Sequence, residues 1–467
     1  MNQLNKSIKK KIPLGIKLSY GVGNIGLVSL IAAMSFFLMI FYTDVALIPP
    51  AIAGMALTVG KIWDIINDPI FGWLTDRTKS KYGRRRVYLI YGAVPLVIAS
   101  FILWMVPSGL SNTSAFIWVA ATYIIFSTVF SITYIPYTSM AAELTKDYDE
   151  RTSLMTVSSI GAVLGYIVGS ISVRLIVSNA VTPQVGYLIV GGVFGILAGI
   201  SVAFVAWRVK EPTEFKNITS KMPLITSIKT TFKNKPFVML VTAFGMVRLA
   251  FTLMQAVMMY FVVYNLVESR DSIGKVLTIL MLIIAAFIVL WKWVGNRWSK
   301  NISYVTGLII VAICAMSSFW LGKGDMNTML ILAGILGIGM ASHWVMPFAM
   351  MPDVIEYDQM RTGERREGIF FGVFGLVDKI ARTLGIIILA WVLEIFHYVP
   401  NVQQTPESLL GIRLLFGPVP AALILLALPI LIFYPINRKN HTALVNSIEK
   451  GDKFTKEDIK NYWKKTA

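Results

Sequence analysis

Long apolar segments, separated by short polar ones, recur from one end of the chain to the other. Each has about 20 residues or more, and at about 1.5 Å per residue such a segment crosses the roughly 30 Å apolar core of a bilayer. The segments lack the strict alternation of apolar and polar residues that a barrel strand needs. Because backbone polar groups in lipid must be satisfied within their own segment, the pattern predicts transmembrane α-helices.

Twelve segments are predicted, six on each side of the longest polar interruption. Because twelve is even, both chain ends are expected on the same side of the membrane. The predicted spans are 19–43, 49–75, 86–106, 114–142, 153–176, 186–208, 237–264, 273–294, 303–321, 328–351, 368–397 and 411–436. Two groups of six indicate an internal repeat, a standard architecture of transporters.

We therefore expect an all-α polytopic membrane protein built as two six-helix bundles. The composition agrees, because 56% of the residues are hydrophobic and only 15% are charged. The expected divisions are a first bundle in 1–209, a cytoplasmic linker in 210–236, a second bundle in 237–436 and a cytoplasmic tail in 437–467.

The formal net charge of +18 would suit a nucleic-acid-binding protein, but the lysines and arginines are concentrated in alternate loops. By the positive-inside rule, the basic loops and both termini face the cytoplasm. We therefore expect a multi-pass protein of the plasma or inner membrane, with the bilayer and not nucleic acid as its surroundings. The sequence has no P-loop, zinc-ligand spacing or nucleophile elbow, so we expect neither an enzyme nor a cofactor beyond a coupling ion.

Acidic residues inside the second span are the most informative feature. Asp64 and Asp68 lie four residues apart and project from one helical face, with Asn67 beside that face. Ionisable residues within a span are expensive and mark candidate functional sites. Their oxygens suit a cation such as Na⁺, and a raised carboxyl pKa would suit a proton. The alternative is an ion pair of Lys61 with Asp64 that only holds the helix in its bundle.

A basic loop follows, with Gly72, Asp76, Arg77, Gly83 and Arg84. It resembles the signature loop of the major facilitator superfamily. Glycines allow helices to approach closely, and charged residues can exchange partners when a transporter changes conformation, so these five residues are candidates for conformational gating. In the alternative interpretation, the arginines only set the topology.

Several further motifs extend the resemblance over nearly the whole chain: Tyr20-Gly21-Val22-Gly23, Phe41-Tyr42-Thr43-Asp44, the stretch from Trp63 to Asp68, Ile135-Pro136-Tyr137, and Pro352-Asp353-Val354-Ile355-Glu356-Tyr357. Together they are similar to the family of glycoside, pentoside and hexuronide cation symporters, which includes the melibiose carriers. The resemblance implies the major facilitator fold and transport by alternating access.

The resemblance also assigns roles to individual residues. It implies that Asp64, Asn67 and Asp68 bind the coupling cation together with the hydroxyl of Ser131. It further implies that a lysine on the eleventh span, here Lys379, communicates between cation and sugar. An aromatic residue, here Trp344, packs near the substrate.

Three positions depart from the melibiose carriers. Those carriers have sugar-binding acidic residues on the first and fourth spans and an arginine on the fifth, where this chain has Val28, Tyr134 and Ser159. A melibiose-like galactoside is therefore not the expected substrate.

Extra basic residues inside predicted spans raise a different possibility for the substrate. Arg248 and Arg382 have guanidinium groups suited to an anionic solute such as a uronide. The alternative is structural: Arg248 pairs with a carboxylate of a neighbouring helix, and Arg382 pairs with Asp378. His343 is a candidate for titration or for substrate binding, although a lone histidine in an apolar helix is more often a packing residue.

The leading hypothesis is a monomeric symporter that couples Na⁺, Li⁺ or H⁺ to a small sugar-like solute, namely a glycoside, a pentoside or a uronic acid. A second hypothesis is a lysolipid carrier, with Tyr134 and Phe374 lining a more apolar pocket. Export of a drug or metabolite is a third, weaker one.

Overall fold

The computed structural model of the protein describes residues 11–145, 147–211, 222–269, 272–399, 402–436 and 441. These residues form helices joined by short loops, and no strand occurs among them. Residues 212–221 of the predicted linker lie outside the described residues. So does the predicted tail over 437–467, apart from His441.

The first half of the chain contains six long helices. They are α1 Leu14–Ile40, α2 Pro50–Arg77, α3 Arg86–Leu103, α4 Asn112–Leu144, α5 Tyr148–Ser178 and α6 Pro183–Arg208. A short helix, α7 Leu224–Thr231, lies within the predicted linker.

The second half repeats this plan. Its helices are α8 Lys235–Tyr260, α9 Ser272–Arg297, α10 Lys300–Ser318, α11 Met326–Thr362, α12 Glu367–Ile395, α13 Pro406–Phe416 and α14 Pro418–Ile432. The last two form the twelfth segment, interrupted at Gly417 because Pro418 cannot donate a backbone hydrogen bond and disfavours helical geometry in the preceding residue. Each half begins with a helix that ends in a π-helical turn, Phe41–Val45 after α1 and Phe261–Asn265 after α8.

Ten helical segments of the described chain are long and apolar enough to cross a membrane. The two remaining long helices are α2 and α12, with 28 and 29 residues. Both contain several charged residues, including Asp64 and Asp68 in α2 and Lys379 and Arg382 in α12. These two helices therefore carry charged residues for which the sequence predicts function, and such residues are costly in lipid.

The tenth predicted span ends too early. Sequence places its end at residue 351, whereas α11 continues to Thr362 and contains Pro347 and Pro352. Its polar extension is buried, and Asp353 forms an ion pair there with Lys300 of α10 at 2.7 Å. Apolar periodicity missed this extension because ion pairing, not hydrophobicity, buries it.

The chain divides into two compact units. The first contains residues 1–231 and also Thr362–Leu376, the beginning of α12; the second contains Phe232–Arg361 and the chain from Val377 onwards. In the first unit, α5 packs on α1 through glycines at four-residue intervals, and a Cβ atom at Gly165 would lie 2.6 Å from the carbonyl oxygen of Ile25. Small residues at this spacing let membrane helices approach closely.

Candidate functional site

Asp68 of α2 lies at a contact of three helices in the first unit. Its Oδ1 accepts a hydrogen bond of 2.6 Å from the hydroxyl of Ser131 in α4. On its other side, a Cβ atom at Gly372 of α12 would lie 2.6 Å from the carbonyl oxygen of Asp68, and one at Gly375 would lie 2.6 Å from Oδ2. The side chain is only 4% exposed, so these neighbours fix the position of its carboxylate.

Asn67 is fully buried next to Asp68. Among the described residues, neither its amide oxygen nor its amide nitrogen has a hydrogen-bond partner. A buried polar group without a hydrogen-bond partner costs about 1–3 kcal/mol of folding free energy, so its presence requires an explanation. A ligand role for the amide oxygen would supply one.

Asp64 lies half-buried one helical turn before Asp68. Two carboxylates, an amide and a hydroxyl would offer a cation only oxygen ligands, which suit a hard cation better than a soft one. The residues present therefore fit a coupling cation, which would be a co-substrate of transport.

Tyr134 of α4 stands where the melibiose carriers have an acidic residue, and it belongs to a row of aromatic side chains. Tyr134 stacks on Phe130 with ring centroids 5.3 Å apart, and Phe130 stacks on Phe126 at 5.8 Å. Trp63 donates a hydrogen bond of 2.8 Å to Thr128 and so fixes α2 against this helix. The first unit thus offers aromatic surface where a melibiose carrier has a carboxylate.

Asp76, at the end of α2, caps the beginning of α12. Its two carboxylate oxygens accept hydrogen bonds from the backbone N–H groups of Gly368 at 2.8 Å and Ile369 at 2.9 Å. It also accepts one of 2.5 Å from Arg85. A negative charge at a helix N-terminus is favourable because backbone N–H groups there have no helical partner. A Cβ atom at Gly72 would overlap the carbonyl oxygen of Gly368, so this contact requires glycine.

Arg84 and Arg85 form a buried ionic network with acidic residues from two other helices. Each donates a hydrogen bond of 3.0 Å from Nε to Glu143 of α4, and Arg84 also pairs with Glu367 of α12. Burial by itself lowers the pKa of both guanidinium groups, but the surrounding carboxylates hold the pKa above its ordinary value. Both arginines therefore stay charged.

The backbone of this loop is held by Glu211. Its carboxylate accepts hydrogen bonds from the N–H groups of Arg84 at 2.9 Å, Arg85 at 2.8 Å and Arg86 at 2.7 Å. Gly83 makes the turn possible with a φ of +111°, which residues with side chains rarely adopt.

Four of the five predicted gating residues thus meet in one network, namely Gly72, Asp76, Gly83 and Arg84. Arg77 is exposed, with its guanidinium 4.8 Å from the ring centroid of Trp73. Sequence reasoning gave no gating role to Glu143, Glu211 and Glu367. Charge alone did not single out these three, because they come from separate parts of the chain.

The second unit contains the two arginines that sequence reasoning singled out. Arg248 of α8 pairs with Oδ1 of Asp378 at 2.6 Å, and Arg382 pairs with Oδ2 at 2.8 Å. Both ion pairs of the structural alternative are thus present, and the role of the two arginines in solute binding stays a prediction. Glycines permit this approach: a Cβ atom at Gly245 would lie 2.9 Å from Val377, and one at Gly385 would lie 2.7 Å from Thr252. Two guanidinium groups around one carboxylate still give the group a net positive charge.

Lys379 and Trp344 also belong to the second unit. Lys379 follows Asp378 in α12 and Trp344 lies in α11, and both side chains are half-buried. Their roles in coupling and in substrate packing stay predictions.

Another charged cluster surrounds the end of α11. Asp353, Glu356 and His441 have potential metal-ligand atoms within 4.8 Å of one another. His441 contacts Glu356 at 2.6 Å, and the ammonium group of Lys300 lies against both oxygens of Asp353 at 3.0 and 2.7 Å. Because Lys300 already supplies a positive charge, we interpret the cluster as an ion-pair network.

Comparison with known proteins shows the family of the chain. Residues 19–438 match the family described as MFS/sugar transport protein. The uncharacterized symporter YjmB of Bacillus subtilis is 30% identical over 94% of this chain and 96% of its own length. The glucuronide carrier protein homolog of Escherichia coli K12 is 26% identical over 92% of this chain and 94% of its own length. The sodium-dependent lysophosphatidylcholine symporter 1 of Mus musculus is 26% identical, with coverages of 95% and 90%.

Solved structures give the same fold. A bacterial homologue of the iron transporter ferroportin in its outward-facing state aligns with a TM-score of 0.70 at 14% identity, over 90% of this chain and 99% of that one. The fucose:proton symporter of E. coli aligns with a TM-score of 0.63 at 12% identity, over 89% and 98% of the two chains. At such identities the likeness concerns the fold alone.

Fold and sequence together define an all-α, multi-pass membrane transporter with the major facilitator fold. The chain belongs to the MFS/sugar transport protein family. The resemblance inferred from the sequence motifs and the expected fold class are therefore confirmed.

Proposed function

We propose that the protein is a symporter that couples Na⁺ or H⁺ to the movement of a sugar-like solute across the cell membrane. The observation that carries this proposal is the oxygen-rich group in α2 and α4, in which a buried carboxylate and a buried amide lie side by side. Neutralisation by a cation relieves the cost of a buried charge, so occupancy of this group is linked to the energy of the surrounding helices.

The helix α12 is the structural support for coupling. Its first part packs on Asp68 through Gly372 and Gly375, and the same continuous helix carries Asp378, Lys379 and Arg382 further along. A cation that repositions Asp68 therefore acts on a helix that also bears the charged residues proposed for the solute.

Within the proposed solute class, a uronic acid fits best. Arg248 and Arg382 share one carboxylate, so an anionic solute gains attraction from the remaining positive charge. The relative named as a glucuronide carrier homolog supports this choice. We further propose that the protein is a monomer of the inner membrane, with both termini in the cytoplasm.

The test is uptake into proteoliposomes of two matched solutes, methyl β-D-glucuronide and methyl β-D-glucoside. Uptake is measured with an imposed Na⁺ gradient, with a proton gradient, and with neither. We expect accumulation only with a gradient, and loss of accumulation in Asp64→Asn and Asp68→Asn. Gradient-independent accumulation, or unchanged accumulation in both variants, would contradict the proposal.

A second candidate function is the transport of lysolipids. The aromatic row of Tyr134, Phe130 and Phe126 favours it, and sodium-dependent lysophosphatidylcholine symporters are similar to this chain along most of its length. Na⁺-dependent binding of lysophosphatidylcholine, with no binding of either methyl sugar, would decide for this function.

A further inference from the structure

His343 lies in α11 between two aromatic rings of α8. Its imidazole stacks parallel to Phe244 with centroids 5.3 Å apart and meets the edge of Phe251 at 4.8 Å. Arg248 is four residues after Phe244 and three before Phe251, so it shares their face of α8. The imidazole is therefore adjacent to the ion-paired group of Arg248, Asp378 and Arg382, which acts on it electrostatically.

The proton of this imidazole is positioned by Tyr304. The Tyr304 hydroxyl lies 2.7 Å from Nδ1 of His343, and Tyr304 is fully buried. A phenol always carries a proton to donate, and among the described residues His343 is its one hydrogen-bond partner. Tyr304 therefore donates to Nδ1, which leaves the proton of the neutral ring on Nε2.

The Nε2–H group has no acceptor within the part of the chain that the structure describes, although His343 is only 4% exposed. Nε2 is not among the fully buried unpartnered atoms of that part of the chain, so this donor is open to a molecule from outside the protein. The adjacent arginines attract an anionic oxygen, and such an oxygen is the acceptor that Nε2–H lacks.

We propose that His343 determines substrate specificity by donating a hydrogen bond from Nε2 to a carboxylate oxygen of the solute. Tyr304 acts through it as a positioning residue that fixes the tautomer. The inference rests on the proposed function, because it concerns a carboxylate-bearing sugar as the transported solute. A histidine that only packs against its neighbours needs its ring but not a proton fixed on Nε2. Packing and donation to the solute can therefore be separated by experiment.

The first measurement is the tautomer itself, by ¹⁵N–¹H correlation spectroscopy of the imidazoles in lipid nanodiscs. The chain has three histidines, and His397→Asn and His441→Asn remove the signals of the other two. We expect a protonated Nε2 and an unprotonated Nδ1 for His343, and loss of this fixed pattern in Tyr304→Phe. A protonated Nδ1 in the wild-type protein would overturn the inference whatever the solute is.

The second measurement is uptake of methyl β-D-glucuronide and methyl β-D-glucoside by His343→Phe and His343→Gln. His343→Phe keeps the aromatic packing and removes the donor, so KM for the glucuronide should rise by about tenfold, equivalent to ~1.4 kcal/mol, with little change in kcat. KM for the glucoside should stay within about twofold, a difference of only a few tenths of a kcal/mol. His343→Gln, which retains an N–H donor, should restore part of the affinity for the glucuronide.

An unchanged KM for the glucuronide in His343→Phe would overturn the inference. Equal rises for both sugars would also overturn it, because they would indicate a structural role. If the wild-type protein transports neither sugar, the proposed function fails, and the tautomer measurement alone decides whether His343 presents the donor.

Discussion

The most specific prediction concerns Gly375 of α12, because the distance from this glycine to Asp68 gives the displacement that a larger residue would force on the Asp68 carboxylate. In Gly375→Ala the new Cβ atom would lie 2.6 Å from Oδ2 of Asp68. Ordinary contact begins at 3.4 Å, so the carboxylate would have to move by about 0.8 Å. Distances from a cation to its ligands tolerate only about 0.2 Å.

We therefore expect Gly375→Ala to lower the affinity for Na⁺ by roughly 10-fold to 100-fold, the range seen when groups that orient a ligand are altered. The folded structure itself should lose only about 1–3 kcal/mol, as is typical of overpacking. The assay is thermal unfolding in detergent at increasing Na⁺ concentration, because a cation that binds only the folded state raises the Tm according to its affinity.

Gly54 provides the matched control. It lies in α2, and nothing stands within 4 Å of the Cβ atom that Gly54→Ala would add. The Tm of Gly54→Ala should depend on the Na⁺ concentration as the Tm of the wild-type protein does. A second variant, Ser131→Ala, removes the 2.6 Å hydrogen bond to Oδ1 and should weaken Na⁺ binding without any steric change. Wild-type affinity in both Gly375→Ala and Ser131→Ala would refute the placement of the cation at Asp68.

Three further predictions concern the charged networks. Asp76→Asn keeps the shape of the cap but removes the charge that faces Arg85 and the α12 N-terminus, so it should cost about 3 kcal/mol, measured as unfolding in detergent. Gly83→Ala should cost about 1–3 kcal/mol in the same assay, since its φ is +111° and Glu211 leaves no room for a Cβ atom; a stable variant would show that the turn relaxes easily. Asp378→Asn should destabilise the protein, and addition of Arg248→Gln should restore at least about 0.5 kcal/mol; additive effects would show that the two residues are not coupled.

The sequence was sufficient for the properties that depend on local chemistry. Long apolar runs predict helices because lipid leaves the backbone no other partner, and alternate basic loops predict a topology. The spacing of Asp64 and Asp68 predicts a shared helical face, and the structure buries Asp68 as a functional group in lipid requires. The sequence also contains a signal for the contact of α12 with α2. Gly368, Gly372 and Gly375 lie at intervals that place small residues on one face of α12.

Tertiary structure alone decided which distant residues meet. Nothing local to Glu211 or Glu367 indicates that they hold Arg84, and nothing near His343 in sequence indicates a hydrogen bond from Tyr304. Hydrophobic periodicity indicates which side of a helix avoids water. It contains no information about the partner of a buried charge or donor, which lies 39 residues away for Tyr304 and 283 residues away for Arg84. That information arises only when close helix packing, permitted by glycine, brings those partners within hydrogen-bond distance.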